Sequence, residues 1–182
     1  MNIIILAAGA SMRLGKPKQI LPWRGTTLLQ HAVQVAGALV TRPIVVLGAY
    51  REVPQGAQVV FNEAWQEGIA SSIRLGLQTA MQQHARQVIF MVCDQPFISV
   101  HLLEELLLAQ QKTGKPIIAC AYAGTIGIPA LFDNSLFPQL LDLKGNMGAK
   151  KIIQQNSEHT WPVPFPMGGI DIDTAEEYEA LP

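Results

Sequence analysis

Two basic residues in a glycine-containing loop are the first candidates for chemistry in this sequence. Arg13 and Lys18 lie five residues apart, in a stretch that follows an apolar run at the start of the chain. Arginine offers a planar fork of donors and lysine a compact charge, and both suit phosphate oxygens. The small residues 7–9 let backbone N–H groups approach a ligand closely, and Gly15 permits an unusual turn. The pattern predicts a polyphosphate-binding loop, with a solvated basic loop as the alternative.

The loop does not have the spacing of a Walker A motif. Five residues, rather than four, separate Gly9 from the Gly15-Lys16 pair. Pro17 stands where that motif needs a serine or threonine for magnesium. The sequence also contains no GxGxxG motif. Neither a P-loop ATPase nor a dinucleotide-binding protein is therefore indicated.

Carboxylates that could bind a metal follow strand-like segments. Asp94 comes directly after the apolar run 87–93. Asp171 and Asp173 lie two residues apart in an extended segment, and one of them is the candidate for a second ligand. Mg²⁺ takes one or two carboxylates together with phosphate oxygens and water. The alternative for Asp94 is a turn or helix cap, and a helix cap is also open for Asp173 or Thr174.

Composition limits the class of protein. The 182 residues are most simply one domain, 1–182, with 49% hydrophobic residues and a formal net charge of −1. This balance gives no electrostatic footprint for nucleic acid or for an anionic membrane. The apolar run 3–10 is too short to span a membrane and has no basic region before it, so we expect a cytoplasmic protein. Cys93 and Cys120 lack CxxC spacing and are predicted to be buried hydrophobic residues.

Apolar segments alternate with helical periodicity along the chain. Strands are predicted over 2–6, 43–47, 58–61, 87–92, 116–121 and 129–132, with a proline-interrupted stretch at 161–166. Helices are predicted over 27–39, 68–83, 99–112, 135–141 and 148–155, and from 175 onward. The alternation predicts an α/β fold of three layers, a Rossmann-like, mostly parallel sheet with helices on both faces. Ligands of such sheets lie outside the carboxyl ends of the strands, where the basic loop and Asp94 both fall.

The loop and four later stretches together resemble a known family. LAAGASMRLGKPK, residues 6–18, matches every signature position of LAAGxSxRxGxxK, the motif of the MobA-like nucleotidyltransferases. The resemblance continues in 19–25, in 68–76, in 94–96 and in 171–174, in the same order as in the family. The chain is most similar to the molybdenum cofactor cytidylyltransferases, because Ala8 stands where the guanylyltransferase branch usually has glycine. The resemblance implies the fold of the nucleotide-diphospho-sugar transferases.

The resemblance also implies a reaction and the residues that serve it. CTP would donate CMP to a phosphorylated acceptor, the molybdenum cofactor, with release of pyrophosphate, and a molybdoenzyme would be a partner. Mg²⁺ would be held by Asp94 and Asp173, with Asp171 as the alternative second ligand. Catalytic roles would fall to Arg13, Lys18 and Asp94. The implied nucleotide-binding residues are Leu6, Ala7, Ala8, Gly9, Ser11, Arg13, Lys18, Ser71 and Ser72.

Some residues leave alternatives open at this point. Ser71 and Ser72 would hold the base and ribose by resemblance, but hydroxyls in the first turn of a helix explain them equally well. Arg74 could serve the same pocket or lie on the helix surface. Ile128 and Asn146 replace a histidine and an aspartate that the family often has on its acceptor side. These departures weaken the prediction of the acceptor more than that of the nucleotide.

Two other kinds of function stay open. Within the enzyme class, the donor could be GTP, or the acceptor a sugar phosphate or an alcohol phosphate. From another class, the protein could be a non-catalytic carrier that delivers the molybdenum cofactor to a molybdoenzyme.

Overall fold

The computed structural model describes residues 1–181. The strands are β1 Asn2–Ala7, β2 Pro22–Trp23, β3 Thr26–Thr27, β4 Ile44–Leu47, β5 Gln58–Phe61, β6 Gln87–Val92, β7 Ile117–Tyr122, β8 Thr125–Asp133 and β9 Thr160–Pro164. The α-helices are α1 Leu28–Gly37, α2 Ile69–Gln82, α3 Val100–Thr113, α4 Phe137–Leu141, α5 Ala149–Gln155 and α6 Ala175–Glu179.

Over the described range, the main sheet has seven strands in the order β5-β4-β1-β6-β8-β7-β9, and β2 and β3 form a separate hairpin. β1 pairs in parallel with β4 and β6, β4 with β5, and β7 with β9. β8 runs antiparallel to both of its neighbours, β6 and β7. The prediction of a mostly parallel sheet is confirmed. The carboxyl ends of β1 and β6, which are adjacent, therefore meet at one edge.

Each face of the main sheet carries its own hydrophobic core. On one face, α1 and α3 pack on the sheet through residues such as Leu29 and Leu103. On the other, α2, α4 and α5 pack on it through residues such as Ile73, Leu140 and Ile152. Successive strand residues point to opposite faces, so a strand covered on both sides must be apolar throughout. This explains the unbroken apolar sequences of β1, β4 and β6 and confirms the three-layer architecture.

In the main sheet, two strands differ from the sequence prediction by more than one residue at an end. The proline-containing stretch forms β9, which pairs in parallel with β7 at the edge of the sheet. Pro162 and Pro164 are compatible with that position because an edge strand does not need every N–H group for pairing. β8 is longer than predicted, since it also includes residues 125–128 and 133. The first part of β8 was not predicted because it contains Gly127, a residue that is uncommon in strands.

The predicted helix starts and the buried cysteines are confirmed. The hydroxyls of Thr27 and Ser99 cap α1 and α3 by accepting hydrogen bonds from backbone N–H groups three residues later, each at 3.2 Å. Cys93 and Cys120 are free and buried. Among the described residues, none of the helices combines the length and the apolar character that crossing a bilayer requires.

Candidate active site

A cleft of about 380 Å³ opens at the carboxyl ends of β1 and β6, where the sheet is expected to bind a ligand. Its volume lies within the range of small-molecule sites. Leu6, Ala7, Ala8, Gly9, Lys18, Ser72 and Asp94, all predicted site residues, line it. Gln19, Trp65, Gln66, Gly68, Ile69, Val92, Cys93 and Asn146 complete the lining.

The loop after β1 is a tight turn whose conformation depends on two residues with positive φ. Ser11 has φ 53° and Gly15 has φ 73°. The backbone N–H of Leu14 donates to the Ser11 carbonyl at 3.1 Å, and the Ser11 hydroxyl accepts from the backbone N–H of Lys18 at 3.1 Å. Ser11 therefore shapes the loop, and in this structure its hydroxyl is directed to the backbone.

Gln19 fixes the base of this loop through two hydrogen bonds, a role that the sequence did not predict. Its side-chain amide donates to the carbonyls of Ala7 at 2.7 Å and Gly9 at 3.1 Å. The side chain is 2% exposed, and its Oε1 has no hydrogen-bond partner among the described residues. A buried acceptor without a partner at the wall of a cleft is a natural contact for a ligand N–H. In the sequence, Gln19 is marked only as the first residue of the stretch 19–25 that resembles the family.

Lys18 brings two carboxylates together at the mouth of the cleft. Its Nζ donates to Asp94 Oδ2 at 2.7 Å and to Asp173 Oδ1 at 2.7 Å. Arg13 forms an ion pair with the other oxygen of Asp173, and its side chain is largely exposed. The structure thus assembles four predicted site residues from three distant parts of the chain.

These ion pairs shift the acid–base equilibria of the cluster. Burial of Lys18 disfavours its charge, but the charges and hydrogen bonds of Asp94 and Asp173 outweigh this effect and raise the pKa of Lys18. The hydrogen bond from Lys18 and the charge of Arg13 lower the pKa of Asp173. Burial raises the pKa of Asp171, and the neighbouring Asp173 and Asp94 add to that rise. The surroundings therefore favour the charged form of Asp173 and disfavour that of Asp171.

The segment that carries Asp173 is anchored by Ile172. The Ile172 N–H donates to the Asp94 carbonyl at 3.0 Å, and its side chain is fully buried with Leu14, Leu21, Trp23 and Leu28. Because side chains alternate along an extended segment, burying Ile172 places Asp171 and Asp173 on the opposite side. Thr174 caps α6 in a capping box with Glu177, so the capping alternative applies to Thr174 and not to the carboxylate of Asp173.

Replacing Ile172 with alanine is expected to lower the free energy of unfolding by about 2–4 kcal/mol, because it leaves a cavity in a small core. Denaturant titration measures the change. Ile170→Ala is the matched control, since Ile170 is 37% exposed two residues earlier, and it should change stability by less than about 0.5 kcal/mol. Equal effects of the two variants would contradict the anchoring role of Ile172.

Ser71 and Ser72, adjacent on α2, have different environments. Both hydroxyls accept from the side-chain amide of the buried Asn62, at 2.8 and 2.9 Å. The Ser71 hydroxyl also bonds the backbone carbonyls of Ala64 and Gly68, and Ser71 is not among the residues that line the cleft. Ser72 does line it. Of the two predicted contacts to a nucleotide, the structure therefore favours Ser72, and it adds Asn62 behind it.

Gly68 allows a second loop to reach the cleft. Gly68 has φ 108°, and a Cβ there would lie 2.4 Å from Asn146 Oδ1 and 2.5 Å from the Gly145 carbonyl oxygen. The same carbonyl accepts from the N–H of Ala70 at 3.1 Å. Asn146, which the family pattern placed on the acceptor side, thus shares the cleft with Ser72 and Ala8.

Arg74 is not among the residues that line the cleft. Of its two predicted locations, the structure supports the helix surface. It donates to the carbonyl of Leu143 at 2.6 Å and forms an ion pair with Glu67 at 3.1 Å. It therefore braces the helix against a loop.

The residues at the mouth of the cleft fit a divalent cation. Asp94 and Asp173 already converge on one cationic group, the Lys18 ammonium. Mg²⁺ and Mn²⁺ prefer oxygen ligands, and Mg²⁺ commonly uses one or two carboxylates with substrate phosphates. Over residues 1–181, no three His, Cys, Asp or Glu side chains are grouped to hold a metal. A cation here would therefore draw its remaining ligands from substrate and water.

Comparison with known proteins finds relatives of similar length and solved structures of similar fold. The chain is 29% identical to nicotine blue oxidoreductase of Paenarthrobacter nicotinovorans, over 98% of this chain and 94% of that protein. It is 34% identical to the molybdenum cofactor guanylyltransferase of Syntrophotalea carbinolica, over 65% of this chain and 55% of that protein. The crystal structure of Rv0371C from Mycobacterium tuberculosis H37Rv in complex with manganese matches with a TM-score of 0.78 and 27% identity, over 98% of this chain and 95% of that one.

The family match covers the sheet and the cleft. The model of the MobA-like NTP transferase domain matches residues 3–160, which include the loop after β1, Ser72 and Asp94. Asp173 lies beyond the matched range. By this match and by its fold, the chain belongs to the MobA-like NTP transferase family.

Proposed function

We propose that this protein is a Mg²⁺-dependent cytidylyltransferase that transfers CMP from CTP to the molybdenum cofactor and releases pyrophosphate. The observation that carries the proposal is the convergence of Arg13, Lys18, Asp94 and Asp173 at the mouth of a cleft of nucleotide size. Two basic groups suit a triphosphate, and two carboxylates suit the cation that accompanies it.

The residues divide the work of nucleotidyl transfer between binding and charge neutralisation. Lys18 and Arg13 hold the phosphates, and the small residues Ala7–Gly9 let the loop backbone come close to them. A divalent cation held by Asp94 and Asp173 neutralises charge on the triphosphate when bound. An oxygen of the acceptor phosphate attacks the α-phosphorus as the bond to pyrophosphate breaks. That oxygen is already ionised at neutral pH, so the reaction requires positioning rather than a general base.

The wall of the cleft supports CTP as the donor. Ala8 lines the cleft, and a Cβ on the neighbouring Gly48 would lie 2.9 Å from the Ala8 Cβ and 2.7 Å from the Cβ of Trp65. This close packing leaves the wall little freedom to move outward for a larger base. A molybdenum cofactor guanylyltransferase among the similar proteins favours GTP instead, which makes guanylyl transfer the second candidate.

A pyrophosphate-release assay tests the proposal. The full chain is incubated with Mg²⁺ or Mn²⁺, with CTP, GTP or ATP, and with the molybdenum cofactor, a sugar phosphate or an alcohol phosphate. We expect pyrophosphate with CTP and the molybdenum cofactor. A preference for GTP would overturn the cytidylyl assignment. No pyrophosphate with any pair would overturn the enzyme, and would leave a cofactor carrier for a molybdoenzyme or a redox activity like that in the relative's name.

A further inference from the structure

Asn62 is a buried amide whose orientation is fixed by its surroundings. It is 4% exposed and follows β5 directly. Its Oδ1 accepts from the backbone N–H of Ala64 at 3.0 Å, so its Nδ2 must face α2. There the two amide hydrogens are donated to Ser71 Oγ and Ser72 Oγ. Reversing the amide would place its oxygen against the hydroxyls and its NH₂ group against a backbone N–H.

The two serines differ in what their own hydrogens do. The Ser71 hydroxyl donates to the backbone, with the Gly68 carbonyl at 2.8 Å and the Ala64 carbonyl at 3.0 Å. In the described part of the chain, the Ser72 hydroxyl has no acceptor of its own, although it accepts from Asn62 at 2.9 Å. A hydroxyl has one hydrogen to donate. Because a lone pair of Ser72 is engaged by Asn62, its hydrogen is left available to an acceptor in the cleft that Ser72 lines.

We infer that Asn62 is a positioning residue that fixes the polarity of Ser72, making its hydroxyl a hydrogen-bond donor to the base of the bound nucleotide. This inference rests on the proposed nucleotide-binding function of the cleft. The pairing edge of cytosine presents two acceptors, N3 and O2, beside one donor group at N4, whereas that of guanine presents donors at N1 and N2 beside one acceptor, O6. A Ser72 hydroxyl that is fixed as a hydrogen-bond donor therefore favours the pairing edge of cytosine. The discrimination comes from a side chain that need not touch the nucleotide itself.

Replacing Asn62 with aspartate tests the inference, because it reverses the polarity with almost no change of shape. A carboxylate only accepts, so Ser72 must donate to it and present a lone pair to the cleft. We expect the ratio of the dissociation constants for CTP and GTP, measured by equilibrium titration with Mg²⁺ present, to rise about tenfold. The added negative charge weakens both complexes alike, and the ratio removes that common effect.

A second pair of variants keeps the inference testable if the aspartate variant does not fold. Ser72→Ala removes the donor and should weaken CTP binding about tenfold. Thr79→Val is the matched control, because Thr79 lies on the same helix and its hydroxyl donates to the Leu75 carbonyl at 2.9 Å. It should leave CTP binding unchanged. An unchanged CTP-to-GTP ratio in Asn62→Asp, or equal CTP binding by Ser72→Ala and Thr79→Val, would overturn the inference.

These titrations are independent of the proposed reaction. Loss of the proposed function appears as the absence of pyrophosphate, whereas loss of this inference appears as an unchanged ratio of dissociation constants. A wild-type protein that binds CTP without turnover would still report the polarity of Ser72. A wild-type protein that binds neither CTP nor GTP would overturn the inference directly.

Discussion

Replacing Asp94 with asparagine is expected to reduce the rate of pyrophosphate release by about 10²–10³-fold. The change removes a negative charge at the point where Lys18 and Asp173 meet, while the size of the side chain is nearly preserved. The loss should be seen at saturating CTP and should persist at tenfold higher Mg²⁺, because the missing carboxylate is the proposed metal ligand as well as a partner of Lys18. Initial rates of pyrophosphate release provide the measurement.

Asp142→Asn is the control for this variant, because Asp142 is an exposed residue at the end of α4. It makes the same chemical change and should retain the wild-type rate. Thermal unfolding of both variants separates a lost carboxylate from a lost fold. If Asp94→Asn kept more than about a tenth of the wild-type rate, Asp94 would not be the essential ligand proposed here.

Replacing Lys18 with methionine is expected to have two opposite effects. Pyrophosphate release should fall about 10²-fold, because a partly buried charge that is proposed to hold the triphosphate is lost. Binding of Mn²⁺ without nucleotide should instead tighten about tenfold, since Asp94 and Asp173 lose the ammonium that now neutralises them. A paramagnetic titration of free Mn²⁺ measures the second effect. General damage to the fold would weaken both properties together.

Lys16→Met provides the control for the lysine variant. Lys16 lies in the same loop, is exposed, and stacks over the ring of Tyr178 at 5.7 Å. Its loss removes the same charge from the loop without touching either carboxylate, so Mn²⁺ binding and turnover should both stay near the wild-type values. Weaker Mn²⁺ binding by Lys18→Met than by the wild type would contradict the role proposed for Lys18.

The sheet could be predicted where burial on both faces imposes a continuous apolar sequence. β5 and β6 were predicted with their observed bounds, and β1 to within one residue. β9 was missed because Pro162 and Pro164 argue locally against a strand. Its existence depends on the edge that β7 offers, which is a tertiary property. Local sequence carries no information about which edges remain open.

Most residues of the candidate site could be predicted from the sequence, but the contacts among them could not. The loop signature and the position of Asp94 after β6 indicated the phosphate and metal sides of the cleft. Asp171 and Asp173 lie on the same side of their segment, so the choice between them required the ion pairs that Asp173 makes with Lys18 and Arg13. Adjacent helical residues point about 100° apart, so only the packing of α2 shows that Ser72 and not Ser71 lines the cleft. Asn62 and Ser72 are ten residues apart in the sequence and no motif links them, so their hydrogen bond could not be predicted.

The hydrogen bond from the Ile172 N–H to the Asp94 carbonyl attaches a segment that is synthesised after all the strands of the sheet. The cleft and its basic loop can form once the strands of the sheet have left the ribosome. The second carboxylate arrives only with residues 170–174, which the exit tunnel still shields when β9 emerges. Until then, Lys18 has Asp94 as its carboxylate partner and the proposed cation position lacks its second carboxylate. The emerging chain can thus form its sheet before the cluster of Lys18, Asp94 and Asp173 is complete.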